Sequence, residues 1–359
     1  MKRTSVNQHT LSSLVSLFHS HPPSHLVNSL MGPTATKPNL PWKVRFLASF
    51  LTFLSNASRR SNGTINRRLF SLVDRKATAN PTPVHGVCSS DVTVSAARNL
   101  WFRLYTPSST ASLPLVVYFH GGGYSFFTAD SIGFDSLCRL FSRSLNAVVV
   151  SVNYRLTPEH RYPAQRDDGL DVIKFIDQNV GVLPRSADVS KCFLAGDSAG
   201  GNLAHHVAVL VSEERLRTVN VIGLVSIQPF FGGEKRTRSE IEINRVPFIS
   251  LDGCDWYWKA FLPHGSDRDH EAANVSGPNA VDIMGLGYPN TIVFMGGFDP
   301  LRDWQRMYYE WLKKSGKEAQ LIDYPNAIHG FYYFPDIPET SLLLSQVKEF
   351  MSQQMCNVN

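Results

Sequence analysis

The residue best placed for covalent chemistry in this chain of 359 residues is Ser198, set in Gly196-Asp197-Ser198-Ala199-Gly200. A serine hydroxyl becomes a strong nucleophile only beside a general base that is itself oriented by an acid. The flanking sequence suits that task. An apolar strand, Cys-Phe-Leu-Ala at 192–195, leads in, and Gly201-Asn202 leads out into a helix with Leu203, Val207, Leu210 and Val211 on one face. This strand–turn–helix elbow lifts the hydroxyl above a sheet, at the positive end of the helix dipole. The glycines are needed because side chains would clash in so tight a turn. A plain glycine-rich turn between strand and helix is the competing reading.

A second glycine run, His120-Gly121-Gly122-Gly123-Tyr124, follows the strand at 113–119. Glycines there bare the backbone N–H groups, and such a loop reads as an oxyanion motif. Each well-placed donor is worth about 2.7–4 kcal/mol in an acyl-transfer transition state. The rival phosphate cradle would end in Gly-Lys-[Ser/Thr] or show dinucleotide spacing, and neither occurs. His120 is expected to hold the loop by hydrogen bonding.

Base and acid should follow the nucleophile in the order acid, then histidine. Of the twelve histidines, His205 and His206 ride the helix behind Ser198, and His160, His264 and His270 precede any acid after the late strand. His329, in Ala-Ile-His-Gly-Phe, falls between the last strand and the last helix. Asp299, in Gly-Gly-Phe-Asp-Pro-Leu-Arg-Asp, directly follows the strand at 291–295. Asp303 is the alternative acid, but it falls inside the next helix. Ser198 to Asp299 spans 101 positions and Asp299 to His329 spans 30. No histidine or cysteine clustering suggests a metal, and no cofactor is implied.

These residues need a scaffold. A β-hairpin is expected around 96–98, followed by short Val/Ile-rich runs at 113–119, 147–154, 192–195, 221–227, 291–295 and 319–323. Such runs are too short for buried helices and fit strands covered on both faces. Helical patterns alternate with them at 133–145, 167–178, 200–214, 303–315 and 340–355. The result is an α/β class chain with a mainly parallel central sheet flanked by helices. Residues 230–285 break the alternation and are expected to form a cap-like insertion. Upstream, Trp42, Phe46, Phe50 and Phe53 recur at helical spacing, and a second short helical piece follows Asn62-Gly63. Residues 41–75 are therefore expected to be an N-terminal helical lid on a domain spanning 41–359.

Charge is divided unevenly. The net charge is +5, yet the first acid is Asp74, so residues 1–73 carry nine bases unopposed, from Lys2 to Arg68. Only Lys2, Arg3 and Lys37 of these lie in residues 1–40, which lack periodicity. That segment reads as a disordered leader, as a transit peptide, or as residues upstream of a translation start at Met31. The remainder gives no reason to expect nucleic acid, and no apolar run is long enough to span a membrane. The five cysteines lack C-x-x-C spacing and read as free thiols, which fits a cytoplasmic location, or plastid or mitochondrion if the leader is a transit peptide. Oligomeric state has no signature in the sequence.

Taken together, His-Gly-Gly-Gly-Tyr, the block Tyr154–Gly169, Gly-Asp-Ser-Ala-Gly-Gly, Gly-Gly-Phe-Asp-Pro-Leu-Arg-Asp and His-Gly-Phe resemble the hormone-sensitive-lipase-like branch of the α/β-hydrolases, and more narrowly the plant carboxylesterases. The likeness covers roughly residues 41–355. It implies an α/β-hydrolase fold with Ser198 as nucleophile, Asp299 as acid and His329 as base. It implies oxyanion donors among the amides of Gly121, Gly122, Gly123 and Ala199, with Gly122 and Gly123 the favoured pair of the loop. Glu159, Arg161, Asp167 and Asp168 would brace the scaffold. The acyl pocket is expected between lid and insertion, with Tyr124, Phe126, Tyr257 and Phe331 as wall residues or ordinary core. The expected activity is hydrolysis of short-chain or small-molecule carboxylic esters. The alternative is small-molecule binding like that of the gibberellin-receptor group, which several further stretches resemble. In that group the catalytic histidine gives way to an aliphatic residue, whereas this chain keeps His329. Cys254 replaces an arginine of that group and the lid sequence differs, which also favours an esterase.

Overall fold

A computed structural model describes Pro38 and residues 40–357, apart from Thr110, Asn244 and Arg245. The chain divides into two units, Met1–Gly32 and Pro33–Asn359. The first unit lies outside the described residues, as does the leader expected over 1–40 apart from Pro38 and Leu40.

Among the described residues, eight strands form one sheet: β1 (Val87–Ser95), β2 (Leu100–Pro107), β3 (Leu113–Phe119), β4 (Val148–Asn153), β5 (Ala187–Asp197), β6 (Val221–Ile227), β7 (Asn290–Phe298) and β8 (Ala319–Ile328). Their spatial order is β1-β2-β4-β3-β5-β6-β7-β8. The β1–β2 hairpin is antiparallel and turns at 96–98, as the alternation predicts, and β2 also meets β4 antiparallel. All pairings from β4 through β8 are parallel.

The helices are α1 (Trp42–Ser58), α2 (Arg67–Phe70), α3 (Ile132–Leu145), α4 (Ala164–Gln178), α5 (Ala199–Glu213), α6 (Arg238–Glu242), α7 (Leu251–Phe261), α8 (Arg302–Lys314) and α9 (Pro338–Cys356). Strand β3 is buried at every position because it feeds two cores. Leu113, Leu115, Val117 and Phe119 join α4, α5 and α8 on one face. Val116 and Tyr118 join α3 and α9 on the other. Alternate side chains of a strand point to opposite faces, so an unbroken apolar run is what a doubly covered strand requires. Each fully buried Val, Leu or Phe contributes about 1.5–3 kcal/mol.

The lid is clipped to this core from one side. Arg67 of α2 pairs with Glu159 at 2.6 Å and donates to the Thr157 carbonyl at 2.7 Å and to the Ser125 carbonyl. Lid and insertion also touch. The Phe248 N–H donates to Thr52 Oγ1 at 2.8 Å, and the Trp256 indole donates to the Arg60 carbonyl at 3.3 Å. Arg161 holds the insertion by donating to the carbonyls of Lys259 and Leu262 at 2.7 and 2.6 Å. Asp168, fully buried, accepts from both Arg155 and Arg98. Among the described residues no helix is long and apolar enough to cross a membrane.

Candidate active site

Parallel strands place their carboxyl ends along one edge of the sheet, and side chains just beyond those ends converge. Here the residues after β3, β5, β7 and β8 are the glycine loop, Ser198, Asp299 and His329. Ser198 sits at φ 51°, ψ −119°, a strained conformation for a residue with a side chain, costing about 1–3 kcal/mol. Its backbone is held on three sides. Its N–H donates to the Ile227 carbonyl at 2.9 Å, while its carbonyl accepts from Gly201 at 3.0 Å and Phe230 at 2.8 Å. A Cβ at Gly200 would run into the Phe119 carbonyl, and one at Gly196 into the Gly200 carbonyl. The turn therefore cannot be this tight with larger residues at either position.

The Ser198 hydroxyl lies 3.0 Å from His329 Nε2. On the far side of the ring, Nδ1 is 2.8 Å from Asp299 Oδ2. With Nδ1–H donating to the carboxylate, Nε2 is left free to accept the serine proton. Asp299 is fully buried and its other bonds fix it in place. Oδ1 accepts the Leu301 N–H at 2.9 Å, and Oδ2 also accepts from Gln305 Nε2 at 2.8 Å. Asp303, the alternative acid, lies on α8 and accepts the Ser239 N–H at 2.8 Å instead.

A residue with no motif to announce it holds the base. Gln228, fully buried beyond the end of β6, spans the peptide groups on both sides of His329. Its Nε2 donates to the Ile328 carbonyl at 3.1 Å, and its Oε1 accepts the Gly330 N–H at 2.8 Å. Gly296 leaves room for it, since a Cβ there would come within 2.5 Å of that amide nitrogen.

The glycine loop needs one correction. The Gly121 N–H is already committed, donating to Asp197 Oδ1 at 2.9 Å, so it is not free to meet an oxyanion. Gly122 and Gly123 remain, at φ 105° and 60°, and both line the cavity beside Ser198. Ala199 opens α5, where N–H groups have no partner in the helix. The Gly122 carbonyl accepts from Ser125 and Phe126 at 3.1 and 3.0 Å, which curls the loop back on itself.

Asp197 is the second unannounced residue. Fully buried, it accepts from Gly121, from the Tyr332 hydroxyl at 2.9 Å, and from the Tyr118 and Tyr333 hydroxyls. Burial pushes its pKa up and the four donors oppose that rise. One carboxylate thus joins the glycine loop, the elbow and the segment after His329.

The alpha/beta hydrolase fold family matches residues 116–333. The chain belongs to that family. Gibberellin receptor GID1C of Arabidopsis thaliana is 37% identical over 334 residues, covering 89% of this chain and 96% of its own. Carboxylesterase 20 of the same plant is 35% identical over 310 residues, covering 82% and 94%. A hyperthermophilic esterase from Pyrobaculum calidifontis superposes with a TM-score of 0.70 at 28% identity, over 90% of this chain and all of its own. The resemblance to plant carboxylesterases near the gibberellin-receptor group therefore holds.

In this α/β-hydrolase, Ser198 and His329 open onto a cavity of about 270 Å³. Its walls come from lid, core and insertion: Leu47, Leu51 and Phe70; Phe126, Phe127 and Phe134; Phe230, Phe248 and Tyr257; and Tyr332 to Phe334. Thr52 and Ser55 of α1 add two hydroxyls. Two expected wall residues are elsewhere. Tyr124 is buried in the core, stacked on Phe261 at 3.8 Å. Phe331 is buried against Tyr324, with ring centroids 5.2 Å apart, and does not line the cavity.

The other buried histidines are structural. His120 hydrogen-bonds the Gly121 carbonyl at 2.8 Å and stacks on Tyr154, and burial pushes its pKa down to about 4. His205 meets the Tyr288 hydroxyl at 2.8 Å, and His206 meets the Ala272 carbonyl at 3.3 Å. Among the described residues no group of three His, Cys, Asp or Glu side chains is arranged to hold a metal.

Proposed function

We propose that this hydrolase is a serine carboxylesterase acting on esters of compact, largely apolar acids or alcohols through an acyl-enzyme. The observation that carries this is the Ser198–His329–Asp299 relay, at 3.0 and 2.8 Å, opening onto the apolar cavity. His329 Nε2 takes the hydroxyl proton as Ser198 Oγ attacks the ester carbonyl. Asp299 holds the ring in the tautomer this needs and stabilises the imidazolium that forms. The oxyanion meets the amides of Gly122, Gly123 and Ala199. His329 then gives its proton to the departing alcohol. Water, deprotonated by the same nitrogen, hydrolyses the acyl-enzyme. Residues 41–75 act as the lid and 230–285 as the cap that together keep bulk water from the acyl group.

The test is turnover of short-chain p-nitrophenyl esters by wild type, Ser198→Ala and His329→Val. Each variant is expected to lose about 10⁴-fold or more in kcat. Wild type no faster than Ser198→Ala would sink the assignment. A second reading, small-molecule binding without turnover, is favoured by the 37% identity to a gibberellin receptor along nearly its whole length. Calorimetric titration of wild type with gibberellins separates the two. Tight binding with no esterase activity would establish the receptor reading.

A further inference from the structure

Helix α1 has two apolar faces, and among the described residues only one is covered. Leu51, Thr52 and Ser55 turn inward and line the cavity, and Leu47, itself 46% exposed, lines its rim. Trp42, Phe46, Phe50 and Phe53 turn outward, with 68, 68, 44 and 66% of their surface exposed. At 100° per residue these four fall within one arc of about 80°, and they run about 16 Å along the axis. Phe46 and Phe50 stack at 6.2 Å, so the stripe is continuous rather than a scatter of single side chains. Monomeric proteins seldom leave such a row in water without a partner for it.

The charge around the stripe identifies the partner. Lys43 and Arg45 fall on its two edges, both exposed, and Lys43 reaches over the Trp42 ring. No Asp or Glu occurs before Asp74, so α1 and the turn after it carry only positive charge. An aromatic ridge with Trp at its end, cations along both edges and no acid matches a helix lying in the plane of a lipid interface. An anionic headgroup layer lies along the whole ridge and attracts cations on both of its edges at once.

The geometry points to an anionic lipid surface as the partner of α1, with the four rings at the headgroup–acyl boundary and Lys43 and Arg45 among the headgroups. The lid would then present its inner face to the cavity and its outer face to the bilayer, where apolar esters concentrate. The docking rests on the lid surface alone and holds whether or not the cavity hydrolyses esters, so its test uses no turnover for its main readout.

The experiment is co-sedimentation of the full chain with vesicles of phosphatidylcholine, alone and with about 30% phosphatidylserine. Binding to the anionic vesicles is expected to be at least about tenfold tighter and to weaken as salt is raised. The triple variant Trp42→Ser/Phe46→Ser/Phe53→Ser should lose about tenfold or more of that binding, because insertion strength scales with apolar area buried. None of these side chains lines the cavity, so turnover of a soluble ester and the circular dichroism spectrum should stay as in wild type. The variant Lys43→Gln/Arg45→Gln should lose the preference for anionic vesicles. Absence of binding to either vesicle overturns the proposal, as does triple-variant binding equal to wild type. Light scattering that finds a wild-type dimer dissolved by the triple variant also overturns it, since a second copy would then be the partner.

Discussion

Replacing Gln228 with methionine isolates the clamp on His329, the proposed base. The side chains have similar length and volume, so packing is kept while both hydrogen bonds vanish. The Ile328 carbonyl and the Gly330 N–H are then left without partners in a dry interior. At about 1–3 kcal/mol for each unsatisfied group, the cost to stability is about 2–6 kcal/mol. The kinetic effect is separate. His329 Nε2 stands 3.0 Å from Ser198 Oγ, and freeing the peptides on both sides of it lets the ring drift. A displacement of about 1 Å at a reacting group costs about 100-fold, so kcat should fall about 10- to 100-fold. Gln228 does not line the cavity, so KM should change by less than about threefold. The assay is steady-state kinetics on p-nitrophenyl acetate well below the melting temperature, with urea unfolding run in parallel. Wild-type kcat combined with lowered stability would refute positioning and leave the clamp a purely structural bond pair.

Asp197→Ala should leave the Gly121 N–H and three tyrosine hydroxyls facing an empty site, and at about 1 kcal/mol per donor it should cost about 4 kcal/mol in urea unfolding. A loss under about 1 kcal/mol would contradict the anchoring role. Acid should destabilise the fold through its buried histidines. Burial lowers His120 to about 4 and His206 to about 3, while in the unfolded chain both titrate at the ordinary value. Their contribution is therefore complete above about pH 6.5 and is lost as pH falls toward 4, by up to about 1.4 kcal/mol per pH unit for each. Urea midpoints measured from pH 7 to pH 5 should show this slope, and His206→Gln should flatten it; an unchanged slope would show that His206 is not the neutral group described.

The proposed relay was legible because its members are each marked locally. Ser198 sits in a glycine elbow, and Asp299 and His329 each follow a strand, so chain order alone selects them. Gln228 carries no such mark, and Asp197 fills the variable position of the elbow, to which the motif assigns no role. Their partners lie 102 and 135 residues away, and a sequence of one chain holds no trace of a contact at that range. Gly121 misled for the same reason. A glycine loop advertises free N–H groups, but which one is consumed depends on a carboxylate 76 residues on. Periodicity correctly placed α1 without saying which side faces inward, because both sides are apolar. Tyr124 and Phe331 follow Gly123 and Gly330 in sequence yet are buried in the core, against Phe261 and Tyr324, partners that no local pattern marks.

The sheet order has a consequence for when activity appears. The proposed nucleophile and acid hang from β5 and β7, inside the sheet, but the proposed base hangs from β8, an edge strand. A chain that has assembled everything through β7 holds a hydroxyl and a carboxylate with nothing between them. On the proposed mechanism turnover needs that edge strand in place, because the base is delivered from its end. Fraying of β8 would withdraw the base while the elbow stays intact, and the hydrolase would fall silent before it unfolds.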